Sequence, residues 1–361
     1  MIEDIERLVT CESPSEDLDA VARSADVVAE LGSRLLGEPP ERIVIDRRTH
    51  LRWRFGPSPR VLLLGHHDTV WPLGSLAKHP FEVCDGILRG PGCFDMKAGI
   101  VMAMHAIASL DDRDGVTLLV TGDEELGSPS SRTLIEDEAR GCAAALVLEA
   151  SADGGALKTE RKGVSLYTVR IEGRAAHAGL EPERGVSATV EAAHQVLAVA
   201  ALGDPATGTT VTPTRLESGT TTNTVPADGR FAVDVRARTA AEQDRVDRAM
   251  RALRPALPGA RIHVTGRPNR PPLQADASAK LFDRACRLAD ALGLEPLVAA
   301  AVGGASDGNF TAGVGTPTLD GLGAVGGGAH AADEHVLVDQ LEPRIRLLTA
   351  LAAELLEEER T

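Results

Sequence analysis

Apolar positions along the chain change their spacing several times, and each change marks an element. Ile2 to Val9 and Leu18 to Leu36 carry apolar residues at helical spacing. Ser15, with Glu16 and Asp17 beside it, stands where the second of these helices would be capped. Arg42 to Phe55 alternates, which predicts a strand pair with a turn near Arg47-Arg48. Val61-Leu62-Leu63-Leu64 is a short unbroken apolar run of the kind a buried strand shows. A connection rich in Gly and Pro follows, from Trp71 to Phe94. Beyond it the pattern predicts a helix over Ile100 to Leu110, a buried strand over Val116 to Val120, a helix over Ser130 to Glu138 and a strand over Ala144 to Leu148. Strands that alternate with helices and end in polar loops predict an α/β unit, whose sites form outside the carboxyl ends of its strands.

After Gly163 the character changes. Val164 to Ile171 alternates as a strand, Gly185 to Leu202 reads as a helix, and Thr209 to Leu216 and Thr224 to Arg238 read as strands. A helix over Ala240 to Leu253 and a strand over Ala260 to Thr265 complete the order β-α-β-β-α-β, that of the split βαβ sandwich. Arg267-Pro268-Asn269-Arg270-Pro271-Pro272 then reads as a linker. The first character returns with a helix over Ser278 to Leu292, a Gly-rich loop at Val302 to Gly308, a short strand at Thr316 to Leu319, a second Gly-rich loop ending at His330 and a terminal helix over Leu341 to Leu355. The expected organisation is one domain built from residues 1–163 and 271–361, interrupted by a second domain over 164–270.

Composition narrows the function. A chain of 361 residues that is 43% hydrophobic buries a sizeable core. Its formal charge of −15 argues against nucleic acid or an anionic membrane as main partner. An acidic substrate remains open, since bound metal or an arginine dominates the field of a pocket. The five cysteines are scattered and form no CxxC pair, which suits a reducing compartment without a disulfide framework. The acidic, helix-like N-terminus is no signal peptide, and no apolar run approaches membrane-spanning length. A soluble cytoplasmic protein is expected.

Candidate chemistry starts at Gly65-His66-His67-Asp68-Thr69-Val70, directly after the buried Val61 to Leu64 run. On an extended segment His66 and Asp68 share a face, which suits a metal ligand and the carboxylate that orients it. A capped strand end with two solvated histidines fits the same stretch. Asp95, Glu125, Glu149 and His330 lie at other apparent strand ends or acidic loops. Two imidazoles and three carboxylates suit zinc, or cobalt or manganese. A pair of such ions about 3.5–4 Å apart shares one carboxylate. Asp95 is the natural bridge, because two histidines and two glutamates then divide evenly. Without thiolates, and with an open position on each ion, the set points to catalysis. Glu124, next to Glu125, is placed to take a proton from metal-bound water, whose pKa falls towards ~7. Alone, Asp123-Glu124-Glu125 reads first as a solvated acidic turn.

The pieces His66-x-Asp68, Gly90-Pro91-Gly92-x-x-Asp95-x-Lys97, Asp123-Glu124-Glu125-x-Gly127-Ser128, Glu149, Ala176-His177-Ala178-Gly179 and the late His330 occur in one order along nearly the whole chain. Together they resemble the di-zinc aminoacylase/carboxypeptidase family of peptidases, and within it the glutamate carboxypeptidase-like branch. The resemblance implies a mixed-sheet exopeptidase-type α/β catalytic domain with an inserted α+β, ferredoxin-like domain that acts in dimerisation or as a lid. It implies that His66, Asp95 and Glu149 hold one ion and Asp95, Glu125 and His330 the other. Asp68 would orient His66, and Glu124 would be the general base and then the general acid. It also implies a cis peptide after the bridging aspartate, here Asp95-Met96. His177, by itself a structural histidine between small residues, would reach the partner subunit's active site and steady the tetrahedral oxyanion. Asn223 and Arg236 match positions that contact the substrate's carboxylate, though Arg236 alone is also a strand-end surface arginine. Gly304, in the Gly303-Gly304-Ala305-Ser306-Asp307 loop, would approach substrate with backbone, unless this is a plain turn. No GK[ST] follows it, which speaks against phosphate. Lys158, Arg161 and Lys162 either select a side-chain carboxylate or cover a surface.

The implied activity is hydrolysis of an amide bond next to a free carboxylate, with N-acyl-amino-acid deacylation as the alternative. Substrates would be small: a dipeptide, an N-acyl amino acid or a folate-like conjugate. A non-hydrolytic, metal-stabilised binding protein is the reading from another class, and the intact Glu124 speaks against it. A homodimer through the inserted domain is expected.

Overall fold

A computed structural model describes residues 1–358. Helices α1 (Ile2–Thr10) and α2 (Leu18–Leu36) open the chain. The cap of α2 is Asp17, whose carboxylate accepts from Asp19 N and Ala20 N. Ser15 lies too far upstream for that task, and its hydroxyl donates to Asp68 Oδ2 at 2.6 Å instead. Strands β1 (Glu41–Ile45) and β2 (Arg48–Arg54) pair antiparallel around Asp46-Arg47, and β3 is Val61–His66. The expected irregular connection contains a small hairpin, β4 (Glu82–Cys84) and β5 (Ile87–Arg89). Its turn is Asp85-Gly86 with φ of 51° and 76°, the left-handed pair that a two-residue hairpin turn requires. Next come α3 (Ala98–Ala108), β6 (Val116–Thr121), α4 (Arg132–Ala139), β7 (Ala144–Val147) and β8 (Leu157–Arg161).

The following segment holds β9 (Gly163–Glu172), β10 (Ala176–His177), α5 (Ala188–Ala200), β11 (Thr210–Ser218), β12 (Thr224–Val225), β13 (Asp228–Ala237), α6 (Ala240–Ala252) and β14 (Arg261–Arg270). Then come α7 (Ala275–Ala291), β15 (Ala299–Val302), α8 (Gly308–Gly313), β16 (Thr318–Leu319), β17 (Gly326–Gly327), β18 (His335–Leu337) and α9 (Leu341–Glu358). Internal packing divides the chain into Met1–Arg161 with Leu273–Thr361 as one unit and Lys162–Pro272 as the other.

The first unit is built on a six-stranded mixed sheet in the order β1-β2-β6-β3-β7-β16. β3 is buried along its whole length and runs parallel to both β6 and β7. Parallel neighbours bring their carboxyl ends to one edge of the sheet. Register places His66 beside Thr121 and Leu64 beside Val147, so the loops after β3, β6 and β7 leave the sheet together. Those loops carry Asp68, then Glu124 and Glu125, then Glu149. Helix α3 is buried on nearly every side, which its run of Ala, Ile, Val and Met permits. Trp53 lies against Gly32 of α2, where a Cβ would stand 2.2 Å from the indole, so only glycine fits.

The second unit has a four-stranded antiparallel sheet, order β11-β13-β9-β14. Inward residues Val169, Ile171, Phe231, Val233 and Val235 pack with Val246 and Met250 of α6. The expected strand from Thr224 breaks at Pro226 into β12 and β13. The expected linker is not one at its start: β14 continues to Arg270 with a register shift between Pro268 and Arg270. Proline lacks the N–H a ladder uses, and β14 tolerates it because it is an edge strand. Among the described residues no helix is long and apolar enough to cross a membrane.

Candidate metal centre

His66 ends β3, Asp95 sits in the turn Cys93–Lys97 ahead of α3, Glu124 and Glu125 follow β6, Glu149 follows β7, and His330 lies in the loop between β17 and β18. These six converge. His66 Nε2 is 3.3 Å from Asp95 Oδ1 and 3.6 Å from Glu149 Oε1. His330 Nε2 is 3.2 Å from Asp95 Oδ2 and 3.3 Å from Glu125 Oε1. Asp95 thus turns one oxygen to each histidine. Ligand atoms of His66, Glu124 and Glu149 lie within 4.8 Å of one another, as do those of His66, Asp95 and Glu125. The Asp95–Met96 peptide is cis.

The donor set suits a divalent cation. His66 Nδ1 lies 2.9 Å from the carbonyl oxygen of Asp68 and donates to it, which leaves a lone pair on Nε2. That lone pair faces carboxylate oxygens, which also only accept. His66 Nε2, Asp95 Oδ1 and Glu125 Oε1 are buried without a hydrogen-bond partner. Buried acceptors that face one another are costly unless a positive charge stands between them. The local field says the same. Burial opposes charge on His66, yet Asp68, Asp95 and Glu149 hold its pKa well above the usual value. Asp95 and Glu125 push His330 up to about 10 against the opposing burial. Burial would raise Asp95, but His330 and His66 hold it far below the usual carboxylate range. A field that retains protons this strongly also retains a divalent ion, which competes with those protons for the same lone pairs.

Asp68 acts differently from the expectation. Its backbone carbonyl, not its carboxylate, takes the His66 Nδ1 proton; the nearer carboxylate oxygen is 3.5 Å away. The carboxylate instead accepts from Glu124 N at 3.1 Å, Glu125 N at 3.3 Å and Ser15 Oγ at 2.6 Å. A residue two positions on along a strand end curls back with its main chain, so its side chain is free to hold the neighbouring loop. That loop is braced a second time by the fully buried Asp123, which accepts from Ser130 N and Oγ and from Ser131 N and Oγ. His50 Nε2 lies 3.1 Å from Ser130 Oγ and extends the chain of bonds.

Glu334 went unrecognised in the sequence. It accepts from Gly92 N at 3.0 Å, Phe94 N at 2.9 Å, Asp95 N at 3.0 Å and Trp71 Nε1 at 2.6 Å, and so holds the turn that presents Asp95. Its only signal was an acidic residue four places after His330. Arg161, left open between selecting a carboxylate and covering a surface, is buried and bonded to Asp320 and to the Gly304 carbonyl. Lys162 belongs to the other unit, where Nζ donates to the Gly208 carbonyl at 2.5 Å.

The remaining expected site residues lie in the Lys162–Pro272 unit. His177 and Asn223 are neighbours there: β10 pairs with β12, and Ala178 N donates to Asn223 O at 2.9 Å. His177 Nδ1 accepts from Gly179 N at 3.1 Å, so the exposed Nε2 carries the proton in the neutral ring. Arg236 is at the far end of β13, eight residues beyond Asp228, or roughly 26 Å at the rise of an extended strand. Asn223 precedes the opposite end of that strand, just ahead of β12. Arg236 is held by Asp234, with Nε–Oδ1 at 2.8 Å and Nη2–Oδ2 at 3.0 Å.

Residues 62–354 match peptidase family M20/M25/M40. Carboxypeptidase G2 of Pseudomonas sp. (strain RS-16) is 30% identical over 372 residues, which cover 98% of this chain and 89% of that protein. A succinyl-diaminopimelate desuccinylase of Methylorubrum extorquens is 29% identical, covering 79% of this chain and 80% of that one. Among solved structures, aminopeptidase PepT from Bacillus cereus shares the fold with a TM-score of 0.75 at 22% identity, over 98% of this chain and 97% of that one. The M20 family metallo-carboxypeptidase Sso-CP2 from Sulfolobus solfataricus gives a TM-score of 0.75 at 15% identity, over 98% of both chains.

Proposed function

The chain belongs to peptidase family M20/M25/M40 and is a metal-dependent hydrolase, and from that premise we propose that it cleaves an amide bond next to a free carboxylate in a small substrate. The observation that carries the reading is Asp95, set between two histidines with a different oxygen towards each. His66, Asp95 and Glu149 would hold one divalent ion, and Asp95, Glu125 and His330 a second, with zinc preferred over cobalt or manganese. Bound there, the ions supply a water of lowered pKa and polarise the scissile carbonyl.

The chain's own groups do the rest. Glu124, anchored through its N–H to Asp68, takes the proton of the attacking water and returns it to the leaving amine. The exposed Nε2–H of His177 of the partner subunit donates to the developing oxyanion. Arg236, pre-set by Asp234, offers a planar fork to the substrate's carboxylate, and the Gly304 backbone and Asn223 add contacts. That Asn223 precedes one end of β13 while Arg236 lies near the other favours a homodimer, in which two copies would supply one group each to a shared site. Edge strand β11 and the exposed Val190 and Leu197 of α5, 47% and 72% accessible, offer the surface for it.

The similarity to a carboxypeptidase favours a substrate cleaved beside its terminal carboxylate, such as a dipeptide, while the desuccinylase relatives favour the second reading, an N-acyl-amino-acid deacylase. A panel of N-acyl amino acids, dipeptides and folate conjugates, assayed alongside metal analysis of the same sample, decides. Chelator-sensitive release of the amino acid with two metal equivalents is expected. Metal-loaded protein that cleaves nothing in the panel would leave only the non-hydrolytic binder.

A further inference from the structure

Arg161 closes β8 and is 4% exposed. A buried guanidinium must find acceptors along each edge of its plane. Nε donates to Asp320 Oδ2 at 2.6 Å and Nη2 to Asp320 Oδ1 at 3.2 Å, a two-point fork. Nη1 donates to the carbonyl of Gly304 at 3.2 Å. Nη2 also stands 3.6 Å from Glu149 Oε2. Asp320 is fully buried and is held in turn by the Ser306 hydroxyl at 2.6 Å. These bonds along two of its edges fix the guanidinium in place.

The consequence falls on Glu149. Its Oε2 faces the guanidinium, and its Oε1 faces His66 Nε2 at 3.6 Å. One carboxylate oxygen thus faces the guanidinium, and the other faces the His66 lone pair, where an ion would stand. We propose that Arg161 is a positioning residue that keeps Glu149 a one-oxygen metal donor and links its setting to the Gly303-Gly304 loop through the Gly304 carbonyl. The proposal rests on the metal-centre reading above. Lysine at this place keeps the charge but cannot span Asp320, Gly304 and Glu149 at once. Glu149 then turns freely, and the ion it shares with His66 loses a fixed ligand. The ion between Glu125 and His330 keeps its own donors, so the two positions separate in affinity.

The test is stepwise metal binding to metal-free protein by calorimetry, with the visible absorption of the cobalt-loaded form recorded alongside. Arg161→Lys weakens one binding step by about 10–100-fold and leaves the other within about twofold of wild type. The cobalt spectrum changes for that position alone, and kcat falls with little change in KM. An Arg161→Met/Asp320→Leu double variant, which replaces the buried ion pair by apolar side chains and so protects the fold, shows the same single-step loss. Two unchanged steps, an equal loss in both, or a rise in KM alone overturns the role of Arg161. Wild-type protein that takes up no metal overturns the centre itself, and the proposal with it.

Discussion

Asp68 Oδ1 accepts the main-chain N–H of Glu124 at 3.1 Å, so the strand that presents one metal-ligand candidate also fixes the loop that presents the proposed base. Both groups lie beyond the ends of parallel neighbours in one sheet. Through its two oxygens that carboxylate holds the main chain of Glu124, the proposed base, and of Glu125, a proposed metal ligand.

Asp68→Ala should release both. With the Glu124-Glu125 loop unpinned, kcat is expected to fall by about 100-fold, since misplacement of a reacting group by about 1 Å costs that much. Metal affinity should drop by about 10-fold or more. Steady-state kinetics with metal titration checks this, and an unchanged kcat would remove Asp68 from the centre.

Glu124→Ala should keep its metal and lose about 100- to 10,000-fold in turnover, the usual contribution of positioned proton transfer. Metal content measured on the same preparation separates the two effects. Near-normal turnover would take the base role away from Glu124.

His177→Ala should lower kcat by about 100- to 1,000-fold without loss of metal. If His177 serves the partner's site, mixing the inactive Glu124→Ala and His177→Ala proteins restores one working site in each mixed dimer, or about a quarter of wild-type activity after random exchange of subunits. No recovery after demonstrated exchange would place His177 within its own subunit's chemistry or outside it.

Glu334→Ala strips an acceptor from three backbone N–H groups and the Trp71 indole. Bonds to a charged acceptor are worth about 1.5–3 kcal/mol each but are not additive. A loss of roughly 3 kcal/mol by denaturant unfolding is expected, with Glu334→Gln intermediate. A loss below about 0.5 kcal/mol would show that water replaces the carboxylate at no cost.

On helix α1, Asp4 is buried, which favours its neutral form, but His105, Arg34 and the N-terminus overrule burial and draw its pKa from 3.8 to about 2. A depressed carboxylate contributes stability above its unfolded pKa and loses it as pH falls through the folded value. Asp4→Asn should thus be less stable than wild type by roughly 1 kcal/mol at neutral pH. The gap should close between about pH 4 and pH 2. Thermal melts across that range test it, and a gap that persists at pH 2 would assign the effect to packing.

Much of this protein is written locally. The runs Val61 to Leu64, Val116 to Val120 and Ala144 to Leu148 announced buried strands because a strand covered on both faces has no polar side to show. Polar residues directly after such runs stand out, and that made His66, Glu125 and Glu149 legible as a set. Asp85-Gly86 carried a hairpin signal inside a stretch dense in Gly and Pro, where the strands on either side were too short to show a period.

Tertiary structure alone decided which buried charges serve which others. Glu334 meets Asp95 N across 239 residues, Arg161 meets Asp320 across 159, and Asp68 meets Glu124 N across 56. An isolated acidic or basic residue has no periodicity, and its pattern is the same whether it ends in solvent or in the core. Burial without a partner is prohibitive for such a group, so the partner is selected by the fold's long-range packing, which no local stretch of sequence encodes.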